Sequence, residues 1–204
     1  MIAPKFIAIT DTAIVSTEVL FARSRMLCSK SHAGTVMLQL RDKHLPIRER
    51  LQLGERLCEI ARESSQYFCV NDRLDLALSL GAHALHLGES SVSVRDIRQY
   101  LGQRLWLSRA VHENTPWEAS GADAIILSPI CEARKGTQAR GLRALARATA
   151  LTSIPVYALG GVNAGNAASC MTAGASGVAA IGAWLTAESL EPLLAALGIS
   201  RGCG

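Results

Sequence analysis

Apolar and polar positions along the chain alternate between two periods. Short β-rich runs recur at residues 6–10 (FIAIT), 35–41 (TVMLQLR), 67–71 (YFCVN), 84–88 (ALHLG), 105–111 (LWLSRAV), 124–130 (AIILSPI), 155–161 (PVYALGG) and 177–183 (GVAAIGA). Several are apolar nearly throughout, as expected of strands whose two faces are both covered in a parallel sheet. Helical spacing lies between them. In 46–61 the positions Ile47, Leu51, Gly54, Cys58 and Ala61 step by four or three, which predicts one apolar or small face, with Pro46 in the first turn. Val94, Ile97 and Leu101 repeat the step, and Ser93 with Asp96 has the spacing of a capping box. Gly81 and Gly174 stand where helices would stop.

Eight strand runs alternating with helices in 204 residues predict an α/β chain folded as a (β/α)8 TIM barrel. A doubly wound open sheet is the alternative. No Ser- or Pro-rich linker breaks the pattern, so residues 1–204 are expected to form one domain. A chain of this size buries roughly 70% of the surface exposed when unfolded. An apolar fraction of 49% and a charged fraction of 19% read as globular. The net charge is +4 with Lys and Arg scattered, so no basic run would track a nucleic-acid backbone. The six cysteines (Cys28, Cys58, Cys69, Cys131, Cys170, Cys203) form no Cys-x-x-Cys pair and read as reduced thiols. Without a signal-peptide pattern or an apolar run of roughly 20 residues, the expected location is the cytoplasm, away from the membrane.

A barrel of this kind carries its chemistry on the C-terminal ends of the strands and the loops after them. Strand 2 ends in Gln39-Leu40-Arg41-Asp42-Lys43, where alternation sends Gln39, Arg41 and Lys43 to one side. Two cations and an amide suit an anionic group, or else form a solvated strand end. Asp72, after strand 3, is a metal ligand, a partner of Arg73 or the N-cap of the next helix. His86 in strand 4 is a core residue or a site residue, and His83 reads as a surface residue. His112, just past strand 5, is a loop residue or a proton carrier at the mouth. Arg134, Lys135, Gly136 and Arg140 make a basic loop after strand 6, either solvated or closing over a phosphate. Gly160 and Gly161 after strand 7, with Ile181 and Gly182 after strand 8, let backbone N–H groups approach a phosphate.

Together these tips resemble the thiamine phosphate synthase/TenI family. The matching pieces are FIAITD, LQLRDK, VNDRLDLALSLGAHALHLG, AVH, GADAIILSPI, ARGL and IPVYALGGVNAGNAASCMTAGASGVAAIGA, in family order from residue 6 to about 185. The resemblance implies one of two activities. The synthase joins an aminopyrimidine pyrophosphate to a thiazole phosphate with Mg²⁺. The TenI-like branch isomerises a thiazole phosphate carboxylate to its aromatic tautomer without metal. Residue by residue, the resemblance assigns Gln39, Arg41, Lys43 and Asn71 to the pyrophosphate and pyrimidine; His86 and Lys135 are expected as further substrate contacts from their places at the mouth. It assigns Asp72 to Mg²⁺ in the synthase, and Gly160, Gly161, Ile181 and Gly182 to the thiazole phosphate. His112 falls at the histidine that moves the proton in the tautomerase branch.

Three departures separate this chain from the synthase pattern. Gly88-Glu89-Ser90-Ser91 replaces Gly-Gln-Glu-Asp, so Ser91 stands where the second Mg²⁺ carboxylate is expected. Arg109-Ala110-Val111-His112 lacks the serine of Val-Ser-x-His, and Cys131-Glu132-Ala133-Arg134-Lys135 lacks the threonines of Phe-Pro-Thr-x-Thr-Lys. They favour a TenI-like thiazole tautomerase with no cofactor, acting on a small phosphorylated thiazole. The alternatives are a divergent Mg²⁺-dependent synthase and a non-catalytic phosphate-ligand-binding paralogue. Apolar outer-helix positions are compatible with a homodimer.

Overall fold

The computed structural model describes residues 3–111, 121–133 and 138–202. Its elements run β1 (Phe6–Ile9), α1 (Thr17–Ser29), β2 (Val36–Leu40), α2 (Ile47–Glu63), β3 (Tyr67–Asn71), α3 (Leu74–Ser79), β4 (Ala84–Leu87), α4 (Val94–Leu101), β5 (Trp106–Val111), β6 (Ala124–Leu127), α5 (Gly141–Ala150), β7 (Val156–Leu159), α6 (Ala167–Thr172), β8 (Gly177–Ala180), α7 (Gly182–Leu185) and α8 (Glu191–Ala196). The strands pair in parallel in sequence order, and β8 pairs with β1 to close the barrel. The open-sheet alternative is thereby excluded. No described helix is long and apolar enough to cross a membrane.

The register sorts side chains. Asn71 pairs with His86, His86 with Ser108 and Ser108 with Ala124, so these emerge on one side. Trp106, two residues before Ser108, meets Tyr157 of the non-adjacent β7 edge-on at 6.2 Å, which marks that side as the barrel interior. The opposite set, including Phe6, Leu38, Leu40, Phe68, Val70, Leu85, Leu107 and Val178, is fully buried under the helices. Both strand faces are covered, which is why the strands read as continuous apolar runs.

Local rules account for the element ends. Ser93 caps α4 by accepting from the Asp96 N–H at 3.1 Å. Gly81 and Gly174 follow α3 and α6 with φ of +59° and +94°, a conformation glycine adopts without steric cost. Pro46 sits in the cap position of α2 and not in its first turn. The buried face of α2 also differs from the periodic reading. Ile47 is 47% exposed, while Arg50, Leu53, Gly54, Leu57, Cys58 and Ala61 face inward. Arg50 enters that face because its Nη2 donates to the carbonyls of Lys43 at 2.9 Å and Leu45 at 3.4 Å. The last predicted run divides: β8 stops at Ala180, and Gly182–Leu185 turns as a short helix.

Candidate active site at the barrel mouth

The interior layer beneath the mouth is polar over β2–β5. Gln39 and Asn71 are 1% and 6% exposed, and Gln39 Nε2 donates to Asn71 Oδ1 at 3.3 Å. The remaining polar atoms, Gln39 Oε1 and Asn71 Nδ2, are buried without a hydrogen-bond partner. An orphaned buried acceptor and donor are costly unless something fills them. Next along the layer, His86 Nδ1 meets the buried Ser108 hydroxyl at 2.9 Å. Burial pushes the His86 imidazole down to about 4, with Lys43 and Arg109 adding to the effect and Asp72 opposing it. A neutral ring therefore stands in this layer near pH 7. Its reading as a hydrogen-bonded buried residue holds, and it also lies beside the site residues.

Above this layer, Asp72 has φ of +70°, and its carboxylate accepts from the Ser91 hydroxyl at Oδ1 and from Lys43 Nζ at Oδ2, the latter at 3.2 Å. Burial alone would raise this carboxyl; the hydrogen bonds from Ser91 and Lys43 outweigh it and hold the acid below its ordinary range. Asp72 is not the cap of α3, which begins after Arg73 without a side-chain cap. Nor does Arg73 pair with it, since the Arg73 guanidinium binds Asp75 at 2.5 and 2.9 Å.

Arg41 departs from the alternation that grouped it with Gln39 and Lys43. β2 ends at Leu40, and Arg41 turns to Asp11 beyond β1 at 3.2 Å. Asp42 between them is buried. It accepts from the Thr10 hydroxyl, and from the Thr12 N–H and hydroxyl at 2.6 and 2.7 Å, tying the β1 and β2 tips together. Asp11, Asp42 and His44 bring ligand atoms within 4.8 Å of one another. Their atoms already serve Arg41, Thr10 and Thr12, so the cluster reads as a structural brace.

The other side of the mouth is built from backbone. Gly160, Gly161, Ile181 and Gly182 line one cavity of about 550 Å³, with Asn163 and Thr186 at its walls. Gly160 and Gly161 have φ of +99° and +68°. A Cβ on Gly160 would lie 2.9 Å from Pro129 Cα, and one on Gly161 2.4 Å from Glu132 Cγ, so neither position accepts a side chain in this packing. Asn166 Nδ2 donates to the Gly161 carbonyl at 2.9 Å and Asn163 N–H to Asn166 Oδ1 at 2.8 Å, which fixes the turn.

The structure thus brings Gln39, Lys43, Asn71, Asp72 and His86 together on the β2–β4 side. It brings Gly160, Gly161, Ile181 and Gly182 together on the β7–β8 side. His112 and Lys135, like Arg134 and Gly136, lie outside the described residues. Sequence reasoning passed over Ser108, Asp42 and Arg50. Only the strand register shows that Ser108 faces His86.

Comparison with known proteins follows the same lines. The family model described as thiamine monophosphate synthase matches residues 6–184. A thiamine-phosphate synthase of Moorella thermoacetica is 36% identical over 163 residues, covering 77% of this chain and 78% of the relative. One from Methanoculleus marisnigri is 36% identical over 156 residues, covering 74% of each. Among solved structures, the thiamine phosphate pyrophosphorylase of Pyrococcus furiosus superposes with a TM-score of 0.80 at 27% identity, covering 95% of both chains.

Proposed function

The chain belongs to the thiamine monophosphate synthase family, and on that footing we propose that it joins an aminopyrimidine pyrophosphate to a thiazole phosphate, releasing pyrophosphate. This reverses the order expected from sequence, where the tautomerase came first. The observation that carries it is the buried Gln39–Asn71 pair, with Gln39 Oε1 and Asn71 Nδ2 both unpartnered. An acceptor beside a donor complements an amino group next to a ring nitrogen, the edge of an aminopyrimidine. The pair lies across the mouth from the glycine cradle of β7 and β8, so the barrel offers two half-sites, as a two-substrate transfer requires.

In this reading Gln39 and Asn71 orient the pyrimidine, and backbone N–H groups at Gly160, Gly161, Ile181 and Gly182 hold the thiazole phosphate. Lys43 and Arg41 lie at the β2 tip, where the pyrophosphate would leave. Mg²⁺ fits the donors present: it is commonly held by one or two carboxylates with phosphate oxygens completing the shell, and Asp72 supplies one carboxylate with the Ser91 hydroxyl beside it. When bound, the ion would neutralise charge developing on the departing pyrophosphate.

The tautomerase reading keeps one observation in its favour. The Asp72 carboxylate is engaged by a hydroxyl and an ammonium, with Ser91 where a second carboxylate would complete a metal site. One assay separates the two. Purified protein is given both precursors with and without Mg²⁺ while pyrophosphate is followed, and in parallel the thiazole phosphate carboxylate while its aromatisation is followed. Mg²⁺-dependent release, diminished in Gln39→Leu, is expected. Metal-independent aromatisation of the thiazole phosphate carboxylate without pyrophosphate release would replace this proposal with the tautomerase.

A further inference from the structure

Behind the glycine cradle, the Cys131 and Cys170 sulfurs lie 4.0 Å apart. Cys131 belongs to the loop after β6 and is half-buried; Cys170 is fully buried in α6. Among the described residues no other cysteine pair is in contact. Cys58 Sγ donates to the Leu80 carbonyl and Cys69 Sγ to the Val70 carbonyl. From this juxtaposition we propose that Cys131 and Cys170 are an oxidisable dithiol, a modification site whose co-substrate is a peroxide and whose closure distorts the adjoining cradle.

The chemistry follows from access. The Cys131 sulfur, the more exposed of the two, attacks one peroxide oxygen. The S–O bond forms, the O–O bond breaks, and the displaced hydroxide leaves as water with the thiol proton. The Cys170 sulfur then attacks the Cys131 sulfenic acid. The S–S bond forms, the S–O bond breaks, and the Cys170 proton leaves in a second water. Two thiols and one peroxide thus become one disulfide and two waters. Burial pushes the Cys170 thiol up to about 12, with Cys131 adding to the effect, so the inner sulfur is held as a thiol near pH 7 and its attack on the adjacent sulfenic acid is the slower of the two steps.

The consequence for the cradle is geometric and rests on the phosphate reading of that site. A disulfide holds its sulfurs about 2.0 Å apart, so closure draws Cys131 toward α6. Cys131 is stitched to the cradle: its N–H donates to the Gly160 carbonyl at 2.8 Å, and the Ile130 N–H to that of Leu159 at 2.9 Å. The next residue, Glu132, packs so closely on Gly161 that a Cβ there would lie 2.7 Å from the Glu132 nitrogen. The loop therefore cannot move without moving the Gly160–Gly161 backbone.

The test treats the full-length protein with hydrogen peroxide and maps thiols by mass spectrometry, then measures inorganic phosphate binding by calorimetry. The expected result is a reductant-reversible Cys131–Cys170 link, absent in Cys131→Ser and Cys170→Ala. In Cys170→Ala a sulfenic acid trappable by dimedone accumulates at Cys131. The linked protein loses phosphate affinity and recovers it on reduction, while peroxide-treated Cys170→Ala retains it. Wild-type Cys131 proceeding to sulfinic acid without a link would overturn the dithiol. A linked protein that binds phosphate as well as the reduced one would overturn the coupling. If the reduced protein bound no phosphate, the cradle reading would fall, and the mapped bond would still decide the dithiol.

Discussion

His86 makes the acid limb of stability predictable. In the unfolded chain its imidazole protonates below about 6.5. In the folded barrel it stays neutral down to about 4, because burial penalises the charged ring and Lys43 and Arg109 repel it. Between those values the unfolded state binds a proton that the native state does not, so unfolding becomes easier as pH falls. The contribution is intact above the unfolded value and is lost progressively until the folded one is reached. A displacement of that size corresponds to about 3 kcal/mol. With a urea dependence of about 2–3 kcal/mol per molar, the unfolding midpoint should drop by roughly 1 M across the window on account of this residue alone. Urea titrations from pH 8 to pH 4 on the wild type and His86→Gln give the assay. Glutamine can still meet the Ser108 hydroxyl but does not titrate. His83, whose imidazole is also lowered by burial, remains in both proteins and cancels in the comparison. If the two midpoints fall in parallel with pH, His86 is not held neutral by the fold and the description of the polar layer is wrong.

Two further substitutions probe the two sides of the mouth. Gly161→Ala combines a left-handed backbone with a clash against Glu132 and should destabilise by about 2–4 kcal/mol, seen as a lower melting temperature together with lost phosphate binding. Gly182→Ala, where a Cβ meets nothing within 4 Å, should shift stability by less than about 0.5 kcal/mol, and equal losses in both would refute the packing account. Ser91→Asp sets a second carboxylate beside Asp72 and should tighten Mn²⁺ binding in the presence of pyrophosphate on the order of tenfold, read by electron paramagnetic resonance; unchanged binding would remove Asp72 from the metal site.

The barrel was legible because its strands are covered on both faces, so apolar runs such as AIIL in β6 stand out from the 3.6-residue spacing between them. The glycine tips were legible because positive φ at Gly160 and Gly161 leaves little choice of residue. What escaped was non-local. On α2 the periodic reading found Gly54, Cys58 and Ala61 but missed Arg50, an arginine that counts as polar in the pattern, whereas here it is 9% exposed and its Nη2 donates to the carbonyls of Lys43 and Leu45. Asp72 is a preferred cap residue at a helix start, and only the positions of Ser91 and Lys43 show that its carboxylate points elsewhere. Cys131 and Cys170 are 39 residues apart, and nothing in either neighbourhood announces the other.

The β2–β4 side of the mouth has an order of yielding that bears on how a two-substrate reaction could be organised there. The Lys43–Asp72 pair is half-exposed, with Lys43 at 52%, and exposed ion pairs of this kind contribute at most about 1 kcal/mol. In the proposed synthase reading, a metal at Asp72 and a pyrophosphate at Lys43 would part them at little cost. The Gln39–Asn71 pair beneath is different. Its open acceptor and donor are buried from water, so leaving them unmatched is costly and a group with the complementary pattern would relieve that cost. A phosphate cannot supply that pattern, since its oxygens only accept in the ionised form. In the synthase reading proposed above, the lower pair would therefore select the heterocycle, while the upper pair would accommodate charge. On that reading, a ligand bearing both, heterocycle inward and phosphates outward, would satisfy the two together, whereas a thiazole phosphate seated on the β7–β8 glycines would leave the amide pair unfilled.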